Sequence, residues 1–186
     1  MDRLWQLNFD AEQPGATPAQ LDVVLGSWVV RAVADAPSAP NILAQEAVFP
    51  EGIHFPRCLV RGIDLADFRM EVKFKPIAGE CDQGGGLIFR YQDPNNYYVL
   101  RANGLDDFAL FKCVNNQRWP VKRYYVRSDE WQRIMVECRG PFISGYWNDR
   151  LLIEARDETF GAGGVGLWTI SDSVSYFDDL AIEALD

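Results

Sequence analysis

The chain has 186 residues, 48% of them hydrophobic and 24% charged, which is enough for one substantial core and short for two. Its 27 acidic residues outweigh 18 basic ones for a formal net charge of -9, with no Lys/Arg block, and this argues against nucleic acid or an anionic membrane surface as partner. No window approaches the roughly 18 apolar residues of a membrane span, so no membrane insertion is expected; "MDRLWQLNFDAE" has no apolar signal-like run, which predicts a cytoplasmic chain or a mature fragment whose leader has been removed. Period-two alternation then predicts strands near 5–9, 27–33, 41–48 and 57–62. It is cleanest in "FRMEVKFKP" (68–76), where Phe68, Met70, Val72 and Phe74 alternate with Arg69, Glu71, Lys73 and Lys75, the pattern of a half-buried antiparallel strand. Further strands are predicted near 86–91, 96–102, 107–113, 131–138, 142–147, 150–156, 163–170 and 174–184. Turn signals such as "DPNN", "CVNNQ", "WNDR" and "GAGG" separate them. The stretch "DAEQPGATPAQLDVVLGS" (10–27) reads as the one long irregular segment, a loop with a single helical turn.

Many short strands without a helical period specify an all-β fold, and their number suits two stacked antiparallel sheets better than a small barrel. No repeat or composition shift divides the chain, so residues 1–186 are expected to form a single domain. Cys58, Cys81, Cys113 and Cys138 lack metal-ligand spacing; their even number permits two disulfides, but free thiols are the favoured reading, with Cys138 in "IMVEC" a small core hydrophobe.

Three blocks carry a resemblance: "GGGLIFRYQDPNNYYVLRAN", "WQRIMVECRGPFISGYWNDRLLIEARDETF" and "GGVGLWTISDSVSYFDDLAI". Together with "GSWVV" and "NILAQ" they resemble bacterial concanavalin A-like lectin/glucanase domains, related to laminin-G modules and to the 3-keto-disaccharide hydrolase family. The resemblance implies a concanavalin A-like jelly-roll sandwich, a glycan on its concave face, frequent export, and an oligosaccharide or polysaccharide as partner. No cofactor is required. Sandwiches of this type often hold Ca²⁺ between the first and last strands, where Asp10, Asp178 and Asp179 would supply hard oxygen ligands; solvated or ion-paired carboxylates are the plainer reading.

Alternation places Gly86, Ile88 and Arg90 on one face of a strand, and Tyr97, Val99 and Arg101 on one face of its hairpin partner. Arg90 and Arg101 are therefore expected side by side, with Tyr97 and Asn103 nearby and a shallow depression left by Gly84, Gly85 and Gly86. Such a face binds hydroxyls or a carboxylate. Alternatively, the arginines pair with Asp82, Asp93 or Asp106 and tie down loops. Trp119 and Trp168 are candidate exposed platforms for sugar rings.

A catalytic apparatus is harder to assemble. His54 is the only histidine and no GxSxG motif is present, and the ExDxxE pattern of the related glucanases is missing. Carbohydrate recognition is the leading expectation. A sugar hydrolase or lyase with Asp82, Arg90, Arg101 and Tyr97 around its site is the alternative, and a laminin-G-like module with a protein partner is the third reading.

Overall fold

The structure, a computed structural model describing residues 4–185, contains fifteen strands and no helix among the described residues. No helix is long and apolar enough to cross a membrane. The strands are β1 (Leu4–Leu7), β2 (Leu21–Leu25), β3 (Trp28–Ala32), β4 (Asn41–Gln45), β5 (Arg57–Leu65), β6 (Phe68–Ala78), β7 (Gly84–Asp93) and β8 (Asn96–Asn103). They continue with β9 (Phe108–Val114), β10 (Gln117–Tyr124), β11 (Gln132–Arg139), β12 (Phe142–Trp147), β13 (Arg150–Arg156), β14 (Gly163–Thr169) and β15 (Val174–Ala184). They form an antiparallel β-sandwich, one sheet ordered β13-β12-β11-β6-β15-β4-β3 with β1 also on β15, the other ordered β10-β9-β8-β7-β14-β5-β2.

Two strands depart from the sequence reading. The stretch expected to be a loop with a helical turn contains β2, which pairs with β5, and the polar segment after Val114 is β10, paired with β9. Both lie at edges of the seven-stranded sheet, where one row of ladder groups stays free and Pro120 is tolerated. Two short hairpins turn as their residues dictate: Asn115-Asn116 and Asn148-Asp149 all have positive φ, the geometry of a type I′ turn.

The inner faces meet in one core. Phe68, Met70, Val72 and Phe74 of β6 face Leu87, Phe89, Tyr98 and Leu100, and the Phe68 ring meets Phe89 edge-on at 5.9 Å. Cys138 belongs to this core as expected, and all four cysteines are free, with Cys81 exposed. Gly85 is required here, since a Cβ would overlap the Phe74 ring.

At the other side of the molecule, β15 changes neighbours at a bulge. Ser175–Phe177 pairs with β4, and Leu180–Glu183 pairs with β1; Asp179 between them has a φ of 49°. The carboxylates proposed for Ca²⁺ are all engaged near this changeover. Asp10 accepts from the Asn41 backbone N–H at 3.1 Å, Asp178 accepts from the Ser38 N–H at 2.8 Å, and Asp179 pairs with Lys73 at 2.7 Å. They do not form a group that could hold a metal ion among the described residues.

Candidate functional site

Antiparallel register carries a row of side chains across the outward face of the seven-stranded sheet. Arg57 on β5 stands beside Trp168 on β14, then come Gly86, Arg101, Ala109 and Arg123 on β7, β8, β9 and β10. Cross-strand partners point to the same side, so three arginines and a tryptophan share one line. Below this row a second apolar cluster, separate from the core, contains Ile88, Tyr97, Val99, Phe111, Cys113 and Trp168. These residues point away from the sandwich and are nonetheless buried.

The cover over them is made of arginines and one loop. Phe55, from the loop before β5, stacks on Trp168 at 5.4 Å between ring centroids. Arg118 of β10 lies across the middle, its guanidinium 4.6 Å from the Phe111 ring centre, 5.3 Å from Phe55 and 5.9 Å from Trp168. Arg57 sits over Tyr97 at 5.7 Å and donates to the carbonyls of Phe55 and Pro94. A depression of about 310 Å³ opens beside Arg118, lined also by Ile53, Phe55 and Asn116.

Arg101, 3% exposed, is the best-anchored cation of the face. Its guanidinium donates to the buried Asp107, lies 3.4 Å from Asp106 and 3.9 Å from Asp82, and stands over Phe111. Asp107 also meets Arg123 at 3.4 Å. Asn103 donates to Asp82 at 3.1 Å. Burial raises the Asp82 carboxyl above its ordinary range, opposed by the nearby Arg101 charge. Burial, reinforced by the like charge of Arg101, lowers the Arg118 guanidinium.

Of the expected site residues, Asp82, Arg101, Asn103, Tyr97 and Trp168 do lie on this face. Tyr97 and Trp168 are buried beneath other side chains, and Trp168 is not the exposed platform that was expected. The space beside the glycines is not open either, because a side chain at Gly84 would meet Ile170 and the aliphatic stem of Arg101. Trp119 is exposed, but its register partner is Lys112, one residue out of phase with Arg118 and Cys113, so it points to the other side of β10.

Arg90 is the clear correction. It does not share a face with Arg101, because β7 bulges there: Arg90 has a φ of 46°, and the β7–β8 register breaks between Phe89 and Asp93. Gly163 on β14 makes room, since a Cβ there would come within 2.6 Å of the Arg90 carbonyl carbon. The bulge resets the alternation, so Tyr91 takes the outward face and stacks near Tyr97, at 6.0 Å. Arg90, 1% exposed, turns away and donates to the carbonyls of Ala66, Gly140 and Phe160, at 2.7 to 3.2 Å. It ties three loops together.

Arg57, Arg118, Arg123, Phe55 and Asp107 were not singled out from sequence. Arg118 was within reach, because a hairpin turning at Asn115-Asn116 sets it opposite Cys113, on the side of Phe111 and Tyr97.

No protein-family model matches the chain, and no curated protein does. Solved structures do. The carbohydrate-binding module CBM66 from Bacillus subtilis superposes with a TM-score of 0.73 and 22% identity, covering 89% of this chain and 96% of its own. Domain 4 of a GH43 extracellular arabinanase from Geobacillus stearothermophilus, in complex with arabinotriose, gives a TM-score of 0.64 and 11% identity over 96% of this chain and 90% of that one. A Bacillus subtilis protein with a galectin-like fold gives 0.57 and 12% identity, covering 96% and 98%. The fold is therefore the jelly-roll sandwich of two antiparallel sheets expected from the sequence.

Proposed function

We propose that this protein is a carbohydrate-binding module that takes an oligosaccharide or polysaccharide on the outward face of its seven-stranded sheet. One observation carries the reading. Among the described residues, seven buried side-chain nitrogen or oxygen atoms lack a hydrogen-bond partner, and four of them are on this face: Arg57 Nε, Arg101 Nε, Arg118 Nη1 and Trp168 Nε1. A buried donor left without an acceptor costs roughly 1–3 kcal/mol, so folding alone gives no reason to gather them on one side. Sugar hydroxyls are the complementary acceptors, and the Phe55 and Phe111 rings suit the apolar faces of sugar rings.

Access runs beside Arg118. It spans the face without a hydrogen bond of its own and borders the depression lined by Ile53, Phe55 and Asn116, so a ligand entering there meets its free N–H groups first. Binding fits better than bond cleavage, because of the residues expected around a hydrolase or lyase site Arg90 has left this face and Tyr97 is buried, while Asp107 is enclosed by Arg101 and Arg123. The sugar-binding structural neighbours support the carbohydrate class.

The test is a glycan microarray on the wild type and on Arg118→Ala, with melting curves for both. Binding to a glycan class that weakens at least about tenfold in a variant of unchanged melting temperature is the expected result. A wild type that binds no glycan overturns the proposal.

A further inference from the structure

The four guanidinium groups of this face are not equivalent. Arg57 has two carbonyl acceptors, Arg101 has Asp107, Asp106 and Asp82 around it, and Arg123 has Asp107. Arg118 has no hydrogen bond or ion pair among the described residues, although the chain carries 27 acidic side chains. From its position, and resting on the glycan reading above, we infer that the bound sugar carries a carboxylate, as a uronic-acid residue does, and that Arg118 receives it.

The geometry supports an anion more than another hydroxyl. Phe55, Phe111 and Trp168 surround the guanidinium within 5.9 Å and hold it by cation–π attraction, while N–H fork geometry matches the two oxygens of a carboxylate. Those rings also lower the local dielectric, which strengthens a direct ion pair. Arg101 and Arg123 lie close enough to add positive potential. Of the aspartates, Asp107 and Asp106 serve Arg101, and Asp82 is held by Asn103. A neutral sugar satisfies the orphan Nη1 and leaves the charge with only the more distant Asp82 carboxylate, to which it makes no bond, to oppose it; a uronate satisfies the donor and pairs with the charge directly. The depression lined by Ile53, Phe55 and Asn116 lies at the same guanidinium and gives the acidic ring a place to enter.

Calorimetric titration tests this with uronate oligosaccharides of galacturonic, glucuronic and mannuronic type, each beside the same oligomer with its carboxyl groups reduced to alcohols. Expected is at least one acidic oligomer bound about tenfold or more tighter than its reduced form, weakening as NaCl rises from about 50 to about 500 mM. Arg118→Gln should bring the pair level, Arg118→Lys should keep part of the difference, and Arg156→Gln, elsewhere on the surface, should keep all of it. Equal or tighter binding of the reduced oligomers overturns the carboxylate inference and leaves carbohydrate binding standing. A preference for sulfated oligosaccharides over uronates overturns it as well. No binding to acidic or neutral sugars removes this inference together with the function it rests on.

Discussion

On the outward face of the eight-stranded sheet, arginines meet carboxylates in water; over the middle of the outward face of the seven-stranded sheet, beyond the exposed Arg61–Asp22 pair at its β2 edge, they lie against aromatic rings. The first face alternates cleanly. Buried residues of β6 and β11 interleave with half-exposed ones, and the latter pair across strands as Arg69–Glu137 at 2.6 Å, Lys73–Asp179 at 2.7 Å, and Arg133–Glu71. Its grooves, of about 350 and 330 Å³, run between these mutually paired charges and present no orphaned donor among the described residues. The second face breaks the usual division of an antiparallel sheet, because most residues of β7, β8 and β9 are buried on both sides. Closure of that outward side depends on Phe55, Arg118 and Arg101, with donors left over. The difference teaches that charge content does not distinguish a solvated surface from a site; pairing does.

The sharpest way to break this comparison is at Asp107. Asp107→Ala leaves the buried Arg101 only its looser contacts to Asp106 at 3.4 Å and Asp82 at 3.9 Å, and the loss should be about 3 kcal/mol in urea unfolding. A loss below about 1 kcal/mol would mean that the arginine layer is as loosely held as a surface ion pair. Arg90→Met comes next. It removes the donors to three loop carbonyls, and with them about 2–3 kcal/mol, while leaving glycan binding intact, because Arg90 lies off the outward face. If Arg90→Met remained fully stable but lost binding, the assignment of Arg101 and Arg90 to different roles would fail.

How far the sequence disclosed these faces can be read from single residues. The alternation of Phe68 to Lys75 located β6 and its solvated side, because a half-buried strand needs only local pattern to be seen. Strand β10 escaped notice because "QRWPVKRY" is polar and contains Pro120; an edge strand tolerates both, and edge position is a property of the whole sheet. Strand β2 was hidden for the same reason, with Val23 and Val24 left exposed at the opposite edge. Arg90 defeated the alternation rule because one residue at positive φ inverts everything after it, and the signal for it, Gly163, lies on another strand. Asp107 was passed over in favour of its neighbour Asp106, since two adjacent aspartates do not disclose which one turns inward. Trp168 lies off the core face but is not the exposed platform expected, because Phe55, which closes over it, arrives from a distant loop.

Asp178 gives a graded test, since it is the buried exception beneath the Ser38 loop on the otherwise solvated sheet. Burial pushes its carboxyl up to about 6, against an ordinary 3.8. The folded state then holds the proton more tightly than the unfolded chain, so this group's stabilising contribution is full below about pH 4 and is lost as pH rises through about 6. The melting temperature of the wild type relative to Asp178→Asn should therefore fall from about pH 4 to about pH 7. A flat difference would show that the carboxyl does not titrate in this window.

The smallest effect should come from the ion-pair lattice itself. Arg69 also reaches Glu183 at 3.5 Å, yet its side chain is 43% exposed, so water competes for every contact it makes. A double-mutant cycle of Arg69→Ala with Glu137→Ala should give a coupling below about 1 kcal/mol that fades by about 0.5 M NaCl. The same cycle at Arg101 and Asp107 should give a larger coupling that survives the salt, because neither partner is accessible to counterions. A large, salt-resistant coupling at Arg69–Glu137 would make the two layers physically alike. The concentration of unpaired donors on the seven-stranded sheet would then be the only remaining ground for placing a ligand there.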